Sequence, residues 1–593
     1  MAAPPEFPRE PFALFPRGGR QGLLFAGPVE IVEARTVAEV GPALARARAL
    51  ARRGLHLAGG LAYEAAAAFE PRAALALARH IAALDQPLLW FGAFAAPRMV
   101  ALAALPGWER PADWGPPVAA IGADDHGAAV DRLQALIAAG DIYQANLTFQ
   151  AELPVSGHPV ALFARALARA PAPHAALVFT GRHWWLSLSP ERFFALADGV
   201  LRAAPMKGTA VRPPLPEADQ AAAEALAADP KNRAENLMIT DLIRNDCARV
   251  AVPGTVRVPA PFRIESLAYV HQMVSHVEAG LAPGRDAFDC LEALFPCGSI
   301  TGAPKLRAIE VLAGIEARPR GIYCGAIGTI GPGAVNADFA VAIRTLVLAA
   351  DRPGVARLGL GSGIVADSRA EDEWRECLAK ARVLERRTPL TLIETMRREA
   401  DGRVPLLARH LARMAASAAR FGLPFDRDAA ARLLARVPPR GGPERLRLLL
   451  GEDGPMALAA GPAPPPPPQP APVTLVPLPV QPEDWRLFHK SSDRAFYDAA
   501  RRAAGSFEVI FLRPDGLATE GSFTSLFVED GGRLLTPPLG RGLLPGVLRA
   551  ELLATGRAVE ADLPADAVRK AGRAGRLFLG NALRGLFPAV VAS

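Results

Sequence analysis

Lysine is nearly missing from this chain. Across 593 residues only Lys207, Lys231, Lys305, Lys380, Lys490 and Lys570 occur, and arginine fills the other basic positions. Arginine does not lose its proton near neutral pH, so it serves neither as an amine nucleophile nor as a Schiff-base partner. A lysine kept against this bias is a candidate for that chemistry, although most lysines are solvated surface cations. Cysteine is scarce as well. The five cysteines form no Cys-x-x-Cys pair, which argues against a disulfide framework or zinc cluster and for a reducing compartment. Basic blocks interleaved with aromatics are absent and the net charge of +7 is small for this length, so nucleic acid is not an expected partner. No apolar run is long enough to cross a bilayer, and the opening Met-Ala-Ala-Pro-Pro-Glu lacks the basic and apolar regions of a secretion signal. A cytoplasmic protein without a membrane partner is expected.

The length predicts two to four domains. Strand-like runs with few helices between them predict an α+β sandwich over residues 1–387. A helical pattern from 128 stops at Gly140, and a strand with one polar side follows at 141–148. Helices are expected at 217–245, 287–295, 306–315 and 371–387, and strands at 326–330, 337–347 and 357–361. The composition shifts near 386–389. Beyond it, over 388–593, come a strand at 392–396, an amphipathic helix at 410–422 and a proline-rich stretch at 461–472. That stretch is expected to be a stiff hinge between two lobes.

The chemistry-bearing residues fall into two groups. In the first, Lys207 lies in Pro205-Met206-Lys207-Gly208-Thr209, whose Pro and Gly suggest a turn. The stretch Gly298 to Lys305 is a glycine-containing turn that opens a helix, where free N–H groups favour an anion. Gly361-Ser362-Gly363 is a second such turn. Glu373 and Glu376 share a helix face with Lys380 one turn on, and Glu235 precedes Asp241 on another helix. These carboxylates suit a hard cation such as Mg²⁺, which takes one or two of them plus substrate oxygens.

Taken together, these stretches resemble the chorismate-utilising enzymes: the large subunits of anthranilate and aminodeoxychorismate synthase, and the isochorismate and salicylate synthases. The matching stretches run in the family's order over roughly residues 10–387. They include the segment from Gly140 to Leu147, Ser189-Pro190-Glu191, Tyr323 and Arg344. The resemblance implies that Glu235 and Glu376, with Glu373 beside them, hold Mg²⁺. Gln144, Ser299, Thr301, Tyr323, Arg344, Gly361, Gly363 and Lys380 would bind the substrate, and Glu191 would be the general acid. Anthranilate synthases look like Pro-Ile-Ala-Gly-Thr around position 207, and aminodeoxychorismate synthases like Pro-Ile-Lys-Gly-Thr. Lys207 therefore implies the second chemistry, in which a lysine attacks C2 and ammonia enters at C4.

The second group lies in 388–593. Lys490, Glu520 further on and a helix opening at Gly546-Val547-Leu548 supply what pyridoxal 5′-phosphate needs: a Schiff-base lysine, a carboxylate for the pyridine nitrogen, and N–H groups for the phosphate. These segments resemble the fold-type IV pyridoxal-phosphate enzymes, including branched-chain and D-amino acid aminotransferases and 4-amino-4-deoxychorismate lyase. His410-Leu411-Ala412-Arg413-Met414 is similar to that family's His-x-x-Arg-Leu, which implies that Arg413 contacts the phosphate. Ser525 stands where the family usually has asparagine.

The two resemblances imply a chain that turns chorismate and ammonia into 4-amino-4-deoxychorismate and then eliminates pyruvate, leaving 4-aminobenzoate for folate synthesis. The alternative is an anthranilate or isochorismate synthase fused to an aminotransferase-like domain. No glutaminase nucleophile motif is present, so a separate glutamine amidotransferase subunit is an expected partner. Pairing of the second domain as a homodimer is also expected.

Overall fold

Alternating apolar residues commit most of the first 380 residues to strands, and the strands collect into two large sheets. The computed structural model describes residues 10–18, 20–267, 269–381, 390–452 and 454–592. The expected domain boundary near 387 and the end of the 371–387 helix lie outside the described residues. The chain divides into two compact units. One holds residues 1–209, 226–265 and 272–387; the other holds 210–225, 266–271 and 388–593. Two short segments of the N-terminal part therefore belong to the second unit, which a single boundary in the sequence does not anticipate.

In the first unit one sheet runs through Gly302–Ala303, Gln144–Ser156, Val355–Ile364, Thr345–Ala349, His183–Ser189 and His174–Phe179 to the N-terminal strands Phe12–Arg17 and Gln21–Ala26. The other includes Met206–Val211, Arg192–Ala197, Ala337–Val341, Ala326–Ile330, His56–Leu61 and Leu89–Phe94. The sheets pack face to face, because Phe15, Phe25, Val178 and Trp185 of the first share a core with Trp90, Phe94 and Ile327 of the second. Helices cover the outer faces: Val37–Arg52 and Ala287–Leu294 pack over the second sheet, and Pro159–Arg169 over the first.

Several expectations need correcting. The stretch around Lys207 is the strand Met206–Val211, not a turn. The helix expected at 217–245 is two helices, Pro216–Ala228 and Pro230–Ala248. The break falls at Pro230, which has no N–H to continue a helix, and Asp229 caps the new one by accepting from Lys231 N. The strand expected at 337–347 is interrupted, because Arg344 has φ +51° between Ala337–Val341 and Thr345–Ala349.

The second unit combines a three-stranded sheet, Leu392–Arg398, Glu444–Leu450 and Met456–Pro462, with an eight-stranded sheet. Both ends of the expected 461–472 linker are strand, since Met456–Pro462 and Ala471–Pro477 leave only 463–470 irregular. Within this unit Asp219 gathers three bases. Arg212, Arg420 and His271 approach its carboxylate at 2.5, 2.9 and 2.9 Å. Burial pushes its carboxyl pKa up, but the arginines outweigh that and hold it at about 2. This cluster fixes residues 210–225 and 266–271 to the second unit.

Candidate active sites

Both glycines of Gly361-Ser362-Gly363 lie on the strand Val355–Ile364, paired opposite Thr148 and Asn146 of the strand Gln144–Ser156. This places Gln144, Gly361 and Gly363 beside Lys207. A Cβ on Gly363 would come within 3.0 Å of Lys207 Nζ and 3.2 Å of Gln144 Nε2, so a larger residue there would push the ends of both side chains aside by a few tenths of an ångström. The backbone of Lys207 is held from the helix Pro230–Ala248, where Asn236 Nδ2 donates to the Lys207 carbonyl at 3.3 Å. Asn236 is fully buried and also accepts from Ser275 Oγ, so the residue next to Glu235 is fixed from both sides.

A cavity of about 160 Å³ opens here, lined among others by Glu191, Lys207, Ser299, Tyr323, Arg344 and Lys380. Gly361 also borders it. Burial pushes the Lys207 pKa down from 10.5; Lys380 adds to this, while Glu235, Glu191 and Glu376 oppose it. Burial pushes the Glu191 carboxyl up, only partly offset by Ser299 and Lys207, so the acid tends to hold its proton. Ser299 Oγ donates to Glu191 Oε1 at 2.7 Å. Lys380 Nζ donates to the Gly361 carbonyl at 2.7 Å and pairs with Glu376 at 2.8 Å. Among the described residues the Arg344 guanidinium has no acidic partner, which leaves a free cation at the cavity wall. The Tyr323 ring lies over Gly359, where a Cβ would sit 2.1 Å from its Cγ.

Two sequence-predicted residues and one stretch take other places. Thr301 does not line the cavity; its buried hydroxyl donates to the Cys297 carbonyl at 2.8 Å and holds the turn that presents Ser299. Glu373 accepts from Ser368 Oγ at 2.7 Å, and that hydroxyl accepts in turn from Val365 N. Among the described residues no group of three or more His, Cys, Asp or Glu side chains could hold a metal, so Glu373 does not complete a triad with Glu235 and Glu376. The pair Glu235 and Glu376 remains, and both charges act on Lys207. The stretch from Gly298 to Lys305 leads into the helix Lys305–Ile315, but it is not one open turn. Gly298–Ile300 is a 3₁₀ turn, Gly302–Ala303 pairs with Gln144 and Ala145, and Lys305 is paired with Asp246 at 2.6 Å. Asn146 also lines the cavity and was not anticipated; nothing in the strand's pattern separates it from its polar neighbours.

A second cavity, of about 410 Å³, lies in the second unit and is lined among others by His410, Arg413, Lys490, Arg494, Glu520 and Val547. Burial, then Arg494 and Arg413, push the Lys490 pKa well below its ordinary value. Burial raises the Glu520 carboxyl to about 7, and Tyr497 Oη donates to Glu520 Oε1 at 2.5 Å. Arg413 is clamped by Glu394, whose two oxygens each accept at 2.8 Å, and by the Pro545 carbonyl at 3.0 Å. His410 Nδ1 also meets Glu394, at 2.6 Å. Burial raises the Glu394 pKa, but Arg413 and His410 outweigh it and bring it to about 2. Gly546 caps the helix Val547–Ala554 and lines the cavity with Val547. Leu548 does not; its side chain packs with Phe527, Leu552 and Ala558. Sequence reasoning left Glu394, Arg494 and Tyr497 without roles. Glu394 comes from the strand Leu392–Arg398, and Arg494 and Tyr497 from the start of the helix Ala495–Ala504; only Arg494, close after Lys490, offered a signal.

Lys490 on the cavity wall with no ion pair among the described residues, Glu520 on the same wall and the clamped Arg413 fit pyridoxal phosphate. Glu235 and Glu376, two acids whose charges both act on Lys207, are of the donor type that Mg²⁺ takes.

Residues 109–386 match the chorismate binding enzyme family, and residues 391–591 match the amino-transferase class IV family. Over 256 residues the chain is 41% identical to aminodeoxychorismate synthase component 1 of Salmonella typhimurium, covering 43% of this chain and 56% of that protein. Over 256 residues it is 40% identical to anthranilate synthase component 1 of Streptomyces coelicolor, covering 43% of this chain and 49% of that one. The chain thus spans about half the length of the curated relatives it matches. Anthranilate synthase component I of Streptococcus pneumoniae shares the fold, with TM-score 0.52 at 22% identity over 62% of this chain and 92% of that one. Among the described residues no helix is long and apolar enough to cross a membrane.

Proposed function

We propose that this chain, a chorismate-binding-enzyme domain joined to a class IV amino-transferase domain, makes 4-aminobenzoate from chorismate and ammonia in two steps. Overall identity does not choose between amination at C2 and at C4, because the two relatives above score alike. The observation that carries the choice is Lys207: an amine with a lowered pKa, on the cavity wall, without a hydrogen-bond partner for Nζ among the described residues. A lysine in that state is a nucleophile.

In the first unit Arg344 and Lys380 hold the substrate carboxylates, and Tyr323 closes one wall. Glu191, whose carboxyl pKa burial raises, gives its proton to the departing C4 hydroxyl as water leaves. Lys207 Nζ bonds to C2 in the same displacement. Ammonia then bonds to C4 and Lys207 leaves as the free amine, so nitrogen ends at C4. Mg²⁺, held by Glu235 and Glu376, would anchor the ring carboxylate. The ammonia comes from free ammonium or from a separate glutamine amidotransferase.

In the second unit bound pyridoxal phosphate would supply an electron sink for carbanion chemistry. Arg413, steadied by Glu394, would hold its phosphate with the Gly546–Val547 helix start, and Glu520 would pair with its pyridine nitrogen. Lys490 takes the proton from C4 and returns it to the departing enolpyruvyl carbon. Pyruvate leaves and the ring becomes aromatic. Burial, with Arg494 and Arg413, lowers the Lys490 pKa, which favours the free amine that a base requires.

The test is Lys207→Ala with chorismate, ammonium, Mg²⁺ and pyridoxal phosphate. The reading expects 4-aminobenzoate from the parent chain and none from the variant, by mass spectrometry. Undiminished 4-aminobenzoate from the variant would refute it.

A further inference from the structure

The cofactor residues leave part of the second cavity unexplained. Arg445, Arg501 and Arg584 line it as well, whereas among the described residues Glu520 is the one carboxylate on its wall. Arg501 and Arg584 flank the Phe523 ring, their guanidinium carbons 5.7 and 6.0 Å from its centroid. Arg584 also lies 5.9 Å from the Phe507 ring, and Phe507 meets Phe523 edge-on with centroids 6.0 Å apart. Arg445 joins from the strand Glu444–Leu450. Charge compensation is thin. Among the described residues neither Arg445 nor Arg584 has an acidic partner. Arg501 reaches only Asp498, at 3.5 Å, and that carboxylate is 60% exposed. Like charges gathered around one cavity repel, and an anion between them relieves the repulsion. Guanidinium forks match carboxylates, and the two phenyl rings offer apolar faces to a flat unsaturated group.

We infer that Arg445, Arg501 and Arg584, with Phe507 and Phe523, form a substrate clamp for a flat, unsaturated dicarboxylate. The inference rests on the lyase reading above and deepens it. The intermediate 4-amino-4-deoxychorismate carries one carboxylate on its ring and one on its enolpyruvyl arm. Alanine or leucine carries a single carboxylate and no ring, and leaves the clamp half-empty. The clamp therefore sets the second unit's preference for eliminating from the dicarboxylate over transferring an amino group from a monocarboxylate amino acid.

The test uses the full chain loaded with pyridoxal phosphate. Maleate and crotonate, a flat dicarboxylate and a flat monocarboxylate, are titrated while the visible band of the bound cofactor is followed. Maleate should bind at least about tenfold more tightly, the scale of one charge-assisted hydrogen bond. Arg584→Met and, separately, the exposed-site Arg445→Met should each lose that preference while cofactor affinity is kept. With 4-amino-4-deoxychorismate, KM should rise about tenfold and kcat change by less than about threefold. Equal binding of the two probes to the parent chain overturns the clamp, as does loss of cofactor in both variants. If 4-aminobenzoate forms without a maleate preference, the clamp falls and the lyase reading stands. If maleate is preferred but no 4-aminobenzoate forms, the clamp stands and the lyase reading falls.

Discussion

Replacing Ser299 with alanine removes one hydrogen bond and should move a pH profile by a calculable amount. Ser299 Oγ donates to Glu191 Oε1 at 2.7 Å, and Glu191 is 8% exposed, so water is poorly placed to replace the donor. Burial already raises the Glu191 pKa, and Ser299 is the largest influence holding it down. A hydrogen bond to a charged group contributes about 1.5–3 kcal/mol, which corresponds to about 1–2 pKa units. The direction follows from which form is stabilised. The hydroxyl favours the ionised carboxylate, so its loss raises the pKa. A general acid works when protonated, so the basic limb of kcat/KM for chorismate should move up by about 1–2 pH units in Ser299→Ala. The assay is initial rate against pH with dissolved ammonia, rather than total ammonium, held constant. Glu191→Gln should lose about 10²–10⁴ in rate at all pH values. A limb that stays put in Ser299→Ala, or moves down, would refute the assignment of Glu191 as the acid.

Three further outcomes follow from the same geometry. The folded pKa of Glu394, about 2, lies below its ordinary 4.5. That stability is present above pH 4.5 and is lost as pH falls from there toward 2, with about 3 kcal/mol at stake, as denaturant melts of the second unit should report. Tyr497→Phe removes the donor to Glu520 and should raise that carboxyl further above about 7, weakening pyridoxal-phosphate binding about tenfold near pH 7.5 by fluorescence titration. Gly359→Ala puts a methyl 2.1 Å from Tyr323 Cγ, so the ring must move; an overpacking cost of about 1–3 kcal/mol in thermal melts and a higher KM for chorismate should result.

Much of the first site was legible because its chemistry is written in residue types. A lysine kept in an arginine-rich chain is visible before any fold is known, whereas the burial of Glu191 and the place of Gly361-Ser362-Gly363 in a strand, where a turn is expected, come only with the fold. What stayed hidden depends on partners distant in sequence. Thr301 and Ser299 look equivalent, yet one hydroxyl turns to the Cys297 carbonyl and the other to Glu191. Glu373 and Glu376 share a helix face, but Ser368 claims the first. Leu548 lies next to Val547 in the chain, yet helix rotation sends it into an apolar cluster. Periodicity reports a face and not what meets it, so the Glu394–His410–Arg413 trio was read only as an arginine motif. For the same reason residues 210–225 and 266–271 gave no sign of belonging to the second unit, since that depends on Asp219 meeting Arg420.

The account stands on two sites acting in order, the first placing nitrogen at C4 and the second removing pyruvate. Supplying chorismate and ¹⁵N-ammonium to the parent chain and to Lys490→Ala, then identifying every product by mass spectrometry, tests that claim most directly. The account predicts labelled 4-aminobenzoate and pyruvate from the parent, and labelled 4-amino-4-deoxychorismate accumulating with Lys490→Ala. Labelled anthranilate from either protein, or equal 4-aminobenzoate from both, would contradict it.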